Sequence, residues 1–91
     1  MTRSEKKIYN MVADAYKKHG SELVEEKYSG LMTCEVKEHK DNIKITINTE
    51  IPYVNTWFEM IAEFENELKN DGYNIAESRF MCNYFYLIIT K

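Results

Sequence analysis

The stretch Ile51–Tyr73, with the sequence IPYVNTWFEMIAEFENELKNDGY, decides the fold that we expect for this chain. Its apolar side chains recur at helical spacing, so they lie on one face of a helix. These apolar residues are Val54, Trp57, Phe58, Ile61, Phe64 and Leu68. Pro52 suits the first helical turn, whereas a capping box of Thr56 and Glu59 would begin the helix at Thr56. Gly72 favours a helix end, because glycine accepts the left-handed conformation found there.

A second amphipathic helix is expected before this stretch, near the beginning of the chain. Thr2 and Glu5 form a possible capping box, and Gly20 predicts the end of the helix. Its apolar stripe consists of Ile8, Met11, Val12, Ala15, Tyr16 and His19. The segment 21–30 has only weak helical spacing before a turn signal, so its structure is left open.

Two alternating runs after this segment predict a β-hairpin. The run Leu31–Glu38 places its apolar residues on one face, and Ile43–Asn48 does the same after the polar turn 39–42. Alternating, β-branched residues are typical of strands with one buried face. The inward-facing residues are Met32, Cys34, Val36, Ile43, Ile45 and Ile47.

A second hairpin is expected after the long helix. Tyr73–Met81 alternates, but its apolar residues occupy both faces, so its inward side is ambiguous. Cys82 and Asn83 form a candidate tight turn. The run Tyr84–Thr90 is continuously apolar, which predicts a strand that is central in the sheet or covered on both sides. If one face is open, the outward set is either Tyr84, Tyr86 and Ile88 or Phe85, Leu87 and Ile89.

These elements predict an α+β protein in the order α-β-β-α-β-β, with residues 1–91 forming a single domain. Two helices packed on one face of a four-stranded, mainly antiparallel sheet would bury every apolar stripe. The segments Met11–Asp14 (MVAD) and Met60–Glu63 (MIAE) resemble each other, as in an internal repeat. The match covers so few residues that chance explains it better.

Composition favours a folded, reduced protein with a weak negative charge. The 91 residues are 44% hydrophobic and carry a formal net charge of -3. An acidic balance disfavours binding to nucleic acid, which usually requires a basic surface. Cys34 and Cys82 are too few for a disulfide framework, and no apolar run reaches the length of a membrane span. We therefore expect a cytoplasmic protein with no membrane association.

No pattern in the sequence predicts catalysis or a cofactor. The two cysteines and two histidines lack the spacing of zinc ligands. The three glycines, at positions 20, 30 and 72, form no phosphate-binding loop. Nothing in the chain resembles a nucleophile elbow or a protease signature. We therefore expect a non-enzymatic protein without a metal or a cofactor.

The most unusual feature is an acidic strip on the long helix. Glu59, Glu63 and Glu67 are spaced four residues apart, and Glu65 lies beside them. Like charges at this spacing oppose helix formation by about 0.2–0.5 kcal/mol each. The simpler interpretation is a solvated helix face. The functional interpretation is a docking strip for a protein partner with a basic surface, as in a small inhibitor or regulator encoded by a phage or mobile element, by analogy of size and charge.

Two alternative hypotheses use the last hairpin. Arg79, Tyr84 and Tyr86 form an aromatic, cationic set that suits stacking of nucleic-acid bases or a small ligand. The same hairpin suits a homodimer interface, since tyrosine and arginine are enriched in protein interfaces. A homo-oligomeric structural protein is therefore the third hypothesis. The simpler interpretation of these rings is core packing and cross-strand pairing.

Overall fold

The computed structural model describes residues 1–24, 33–48, 55–81 and 84–91. Its elements are α1 (Arg3–Val24), β1 (Thr33–Glu38), β2 (Ile43–Asn48), α2 (Asn55–Asn70), β3 (Asn74–Met81) and β4 (Tyr84–Thr90). The four strands are antiparallel and are arranged in the order β1-β2-β4-β3. Both helices pack on one face of this sheet, which confirms the predicted α+β fold.

Helix α1 begins at the predicted capping box and continues beyond its predicted end. The Thr2 amide donates to Glu5 Oε1 at 2.7 Å, and the Glu5 amide donates to Thr2 Oγ1 at 3.1 Å. These reciprocal bonds satisfy amides that a helix start leaves without partners. The expected end at Gly20 is wrong, because the helix runs to Val24. A glycine inside a helix costs about 1 kcal/mol relative to alanine, which the burial of Ile8, Val12 and Ala15 on the same helix outweighs.

Helix α2 terminates through Gly72, as predicted. The Tyr73 amide donates to the Leu68 carbonyl at 3.0 Å, which closes the last turn. Gly72 has a φ of 95°, a backbone conformation that favours glycine. At the other end of the helix, the predicted start at Pro52 lies outside the described residues. Thr56 is already inside α2 instead of capping it, because the helix includes the residue before it.

The core lies between the helices and one face of the sheet, which we call the inner face. As predicted, β4 is a central strand, and its Phe85, Leu87 and Ile89 are fully buried. The opposite, outer face therefore carries Tyr86 and Ile88, which are half-buried. The other buried apolar residues are Ile8, Val12, Ala15, Val36, Ile43, Ile45, Ile47, Met60, Ile61, Phe64, Leu68 and Tyr73.

The first hairpin forms as its alternation predicts. β1 and β2 pair across the turn 39–42, where the His39 amide donates to the Asn42 carbonyl at 2.8 Å. Val36 is buried and Cys34 is half-buried on the inner face. Four residues predicted at the start of this hairpin or in the second turn lie outside the described residues: Leu31, Met32, Cys82 and Asn83. The structure also leaves undescribed the side chains of Tyr16, His19 and Trp57.

A bulge in β3 explains why its apolar residues appear on both faces of the sequence pattern. The pairing with β4 shifts register between Ile75 and Glu77, so Ala76 has no partner on β4. One extra residue reverses the alternation, because side-chain direction in a strand has a period of two. Ile75 therefore lies on the inner face before the bulge, and Phe80 lies on the same face after it.

The chain consists of two αββ halves related by a pseudo-two-fold axis between β2 and β4. Each half contributes one central strand and one edge strand, and each helix contacts the edge strand of its own half. The similar segments Met11–Asp14 and Met60–Glu63 lie one in each helix. Val12 and Ile61, which match in the two segments, are 1% and 2% exposed. The short sequence match thus coincides with matching positions in the core.

Candidate interaction surfaces

The acidic strip predicted on α2 divides between the two sides of the helix. The exposed residues of the helix after its first turn are Glu59, Ala62, Asn66, Lys69 and Asn70. Glu63 and Glu67 lie on the flank toward α1, whereas Glu65 lies toward β3. These three glutamates are half-buried. The exposed residues of the helix therefore include one acid, one base and three uncharged side chains, and three of the four glutamates lie on its flanks.

Lysines of α1 pair with acids of α2 along the seam between the two antiparallel helices. Lys18 Nζ lies 2.8 Å from Glu63 Oε1, and Lys7 Nζ lies 2.6 Å from Asp71 Oδ2. Each hydrogen bond raises the pKa of its lysine, and the charge of Glu67 adds to the effect at Lys18. Both lysines are largely exposed, so the pairs contribute little to stability and mainly match opposite charges across the seam.

Glu65 is engaged on the opposite flank of α2. Its Oε1 accepts a hydrogen bond from Ser78 Oγ at 3.0 Å, which joins the helix to the edge strand β3. The side-chain carboxylates of Glu59 and Glu67, in contrast, have no hydrogen bond or ion pair with any residue in the described part of the chain. Two of the four predicted docking residues thus carry carboxylates that remain available to a partner.

The outer face of the sheet brings together residues of the second predicted set. Arg79 and Tyr86 are direct cross-strand neighbours, while the side chain of Tyr84 is not described. Lys44 Nζ lies 5.0 Å from the centre of the Tyr86 ring, and Arg79 Nη2 lies 2.6 Å from Glu77 Oε1. A cation already lies over this aromatic ring, and an acid already pairs with this arginine. Both interactions would compete with the stacking of a nucleic-acid base.

Three aromatic rings connect the first turn of α2 with the end of the second hairpin. The ring centres of Phe58 and Phe80 are 5.0 Å apart, and those of Phe80 and Phe85 are 4.7 Å apart. Phe85 is fully buried, but Phe58 is 37% exposed and Phe80 is 40% exposed. Phe58, predicted on the core-facing stripe, thus packs against the rim of the sheet. The rings form a short stack from the core to the surface.

The chemistry expected of a catalytic or metal site is weak in the described residues. Burial raises the pKa of the Cys34 thiol to about 12, so the thiol stays protonated and is a poor nucleophile near neutral pH. Within residues 1–24, 33–48, 55–81 and 84–91, no three histidine, cysteine or acidic side chains are grouped to hold a metal ion. Chemically, the described surface offers mainly charged and aromatic contacts to a partner.

Comparison with known proteins gives no functional assignment. No family model matches the chain, and no curated protein is similar enough to match it. Among the described residues, no helix is both long and apolar enough to cross a membrane. The functional interpretation therefore depends on the two surfaces described above, the acidic side of α2 and the outer face of the sheet.

Proposed function

We propose that this protein is a non-enzymatic protein-binding module that docks the acidic flank of α2 onto a basic surface of a protein partner. We define this acidic flank as Glu59, Glu63 and Glu67. The supporting observation is that the flank already binds one ammonium group, since Lys18 Nζ lies 2.8 Å from Glu63 Oε1. The carboxylates of Glu59 and Glu67, one turn to either side, form no hydrogen bond or ion pair with a described residue, although the charge of Glu67 also acts on Lys18. An inhibitor or regulator would use such a flank to occupy a basic site.

The neighbouring side chains allow a partner to approach this flank closely. Ala62 and Asn66 lie on the exposed crest beside the glutamates and are short and uncharged. Lysines or arginines of the partner would meet Glu59 and Glu67 directly and would compete with Lys18 for Glu63. Binding of this kind is fast and depends strongly on salt, because the charges are partly exposed and screened. Glu65 stays outside the flank, since its carboxylate accepts the hydrogen bond from Ser78.

A labelled basic peptide provides a defined test of the acidic flank. We would titrate fluorescein-labelled octalysine with the protein at low salt and follow fluorescence anisotropy. The double substitution Glu59→Gln and Glu67→Gln should weaken binding about tenfold, at roughly 0.7 kcal/mol for each partly exposed charge. The matched control is Glu35→Gln with Glu77→Gln, which removes the same charge from the outer face of the sheet. Equal weakening by both pairs would show a general charge effect and contradict the proposal.

Lys18 offers a second test in the opposite direction. Replacing Lys18 by Gln removes the ammonium group that lies 2.8 Å from Glu63 Oε1. A lysine of the octalysine peptide can take its place, so the peptide should bind more tightly than it binds the unmodified protein. The control Lys17→Gln removes the same charge from an exposed neighbour on α1. If Lys17→Gln strengthens binding as much as Lys18→Gln does, the Glu63 carboxylate is not part of the docking site. A partner captured from cell extract should show the same ranking of variants.

Ligand binding by the outer face is the second candidate function. The observation that favours it is the direct opposition of Arg79 and Tyr86 with Lys44 beside them. Two acids on the same face, Glu35 and Glu77, work against a polyanion. Anisotropy with a labelled single-stranded oligonucleotide separates the two functions. Micromolar binding that falls steeply with salt and is lost in Arg79→Ala would favour the outer face over the acidic flank.

A further inference from the structure

The outer face of the sheet carries three rows of residues that run across all four strands. One row, made of Thr33, Asn48, Tyr84 and Met81, has no charged residue, and the charged residues lie in the other two. The first charged row consists of Glu35, Thr46, Tyr86 and Arg79, and the second consists of Lys37, Lys44, Ile88 and Glu77. The pseudo-two-fold axis relates Glu35 to Glu77 and Lys37 to Arg79. The four ends of these two charged rows, which we call the corners, therefore alternate in sign, with acids on one diagonal and bases on the other.

We infer that this outer face binds a second copy of the chain, face to face, in a weak homodimer. A half-turn about an axis in the plane of the sheet exchanges either the two charged rows or the two edges. In both cases every corner acid of one copy lies over a corner base of the other, and the centres of the two faces meet. The face is thus complementary in charge to itself, as an isologous interface requires. This inference is independent of the acidic flank of α2, which lies on the helical side.

The composition of the face suits a protein partner. Tyr86 and Ile88 are half-buried at its centre, and aromatic and apolar centres with charged rims are typical of interfaces. Lys37 and Lys44 are direct cross-strand neighbours, an arrangement of like charges that destabilises an isolated sheet. A glutamate of the second copy would lie over Lys37 in either orientation. Dimerisation would thus reduce this repulsion by placing a carboxylate over Lys37, while Lys44 already lies over the Tyr86 ring.

The size of the face limits the strength of the dimer. Four strands about 4.8 Å apart and about six residues long give a face of roughly 400 Å² on each copy. The pair would bury roughly 800 Å², which lies at the low end for specific association. We therefore expect a dissociation constant on the order of 10–100 µM, with the chain monomeric at low concentration.

Sedimentation velocity over a concentration series tests the inference. From about 5 to about 500 µM at low salt, the sedimentation coefficient should rise from that of a monomer to that of a dimer. The double substitution Glu35→Lys and Glu77→Lys makes all four corners positive and should abolish the dimer over this range. The matched control Glu59→Lys with Glu67→Lys changes net charge equally on the helical side and should leave dimerisation intact.

Inverting the whole pattern provides the sharpest variant. The quadruple variant carries Glu35→Lys, Lys37→Glu, Glu77→Lys and Arg79→Glu. Its corners again alternate in sign, so it should form a homodimer even though every corner has changed. A mixture with the unmodified protein should give few mixed dimers, because like charges would then meet at every corner. Circular dichroism confirms that each variant is folded before the sedimentation results are interpreted.

Three results would overturn the inference. A chain that remains monomeric at about 500 µM does not use this face for self-association at the expected strength. A dimer that persists in the Glu35→Lys and Glu77→Lys variant uses another surface. A labelled single-stranded oligonucleotide that binds the unmodified protein at micromolar concentration, and is lost on Lys44→Ala, identifies nucleic acid as the occupant instead of a second copy.

Discussion

The two αββ halves share one plan but differ in charge and regularity. α1 has 22 residues and presents lysines to the seam, whereas α2 has 16 residues and presents acids. β1 pairs with β2 without interruption, whereas β3 carries a bulge. On the outer face, however, the halves agree, since Glu35 and Lys37 match Glu77 and Arg79. The two halves thus carry different charges where their helices contact each other. On the outer face of the sheet they carry the same pattern of charges.

This difference places opposite charges on the two helices where they contact each other. Two identical helices related by a two-fold axis would bring like charges together wherever a residue met its own equivalent. In this chain Lys18 meets Glu63 and Lys7 meets Asp71, so the second half supplies the charge that the first half lacks. The acidic flank of α2 is therefore partly a structural counterpart of α1. Within the flank, the carboxylates of Glu59 and Glu67 form no hydrogen bond or ion pair with a described residue, although the charge of Glu67 also acts on Lys18.

The largest expected effect comes from making the first half irregular at β1. Deleting Val36 would shift the residues before it by one position, turning Cys34 outward and Glu35 toward the core. We expect the protein to lose cooperative folding, because a buried, unpaired carboxylate costs several kcal/mol. Deleting Ala76 makes the second half regular and leaves the pairing on both sides of the bulge unchanged. That variant should fold and differ from the parent by about 1 kcal/mol.

The measurement for both deletions is thermal unfolding followed by circular dichroism. A folded Val36 deletion would contradict the assignment of β1 as a strand with one buried face. An unfolded Ala76 deletion would show that the bulge itself, and not only the pairing around it, is needed for the second half. Together the two results decide whether the difference between the edge strands is tolerated or required.

The next effect tests whether the halves form one cooperative unit. Phe64 of α2 is 1% exposed and belongs to the core cluster that also includes Ile8 and Val12 of α1. Phe64→Ala should lower the free energy of unfolding by about 3–5 kcal/mol. Phe58→Ala, at a position 37% exposed, should cost much less. Urea denaturation gives both values, and Phe64→Leu replaces Phe64→Ala if the latter does not fold.

Hydrogen exchange extends the same test to the first half. Because the two halves share one core, Phe64→Ala should reduce amide protection in α1 as well as in α2. Protection that falls in α2 while α1 keeps that of the parent would mean that the halves unfold separately. Each half would then be an independent folding unit.

The two glycines near the ends of the predicted helices should respond in opposite directions. Gly20 lies within α1, so Gly20→Ala should raise stability by about 0.5–1 kcal/mol. Gly72 has a φ of 95°, so Gly72→Ala should lower stability by about 1–2 kcal/mol through backbone strain alone. A Cβ at Gly72 would meet no atom within 4 Å, so steric contact does not contribute. Thermal unfolding of both variants checks the signs.

Features encoded by neighbouring residues were predictable, and those that depend on a distant partner were not. The Thr2–Glu5 capping box and the end of α2 at Gly72 follow from local backbone needs. For the same reason, the alternation of apolar and polar residues in β1 and β2 predicted which of their side chains face the core. The bulge at Ala76 depends on how β3 pairs with β4, and the helix through Gly20 depends on packing that outweighs local propensity.

The candidate surfaces divide in the same way. The glutamates of α2 were visible in the sequence, but their pairing with α1 required the placement of two helices far apart along the chain. The lysines of α1 were the signal for that pairing, since an acidic stripe and a basic stripe favour each other. The opposition of Arg79 and Tyr86, in contrast, is the pairing that the predicted tight turn at Cys82 and Asn83 implies. The self-complementary pattern of the outer face required the full strand order.

The smallest expected effect concerns the start of α1 and its dependence on pH. Glu5 accepts hydrogen bonds from the Glu38 amide, at 2.8 Å, and from the Thr2 amide, and these bonds lower its pKa from the usual 4.5. Since the folded state favours the carboxylate, its contribution to stability is present above pH 4.5 and is lost as the pH falls through the lowered pKa. The first turn of α2 has no acidic residue, so this loss should affect the first half alone.

Glu5→Gln tests this contribution without removing the side chain. At pH 7 the variant should unfold at a slightly lower temperature than the parent, because an amide is a weaker acceptor than a carboxylate. The difference should shrink as the pH falls below 4.5, because the parent carboxylate becomes protonated as the pH passes through its lowered pKa. Hydrogen exchange should show weaker protection at the start of α1 and unchanged protection in α2. A difference in unfolding temperature that is the same at pH 3 and pH 7 would mean that Glu5 acts through packing. The two helices would then not differ in their response to acid.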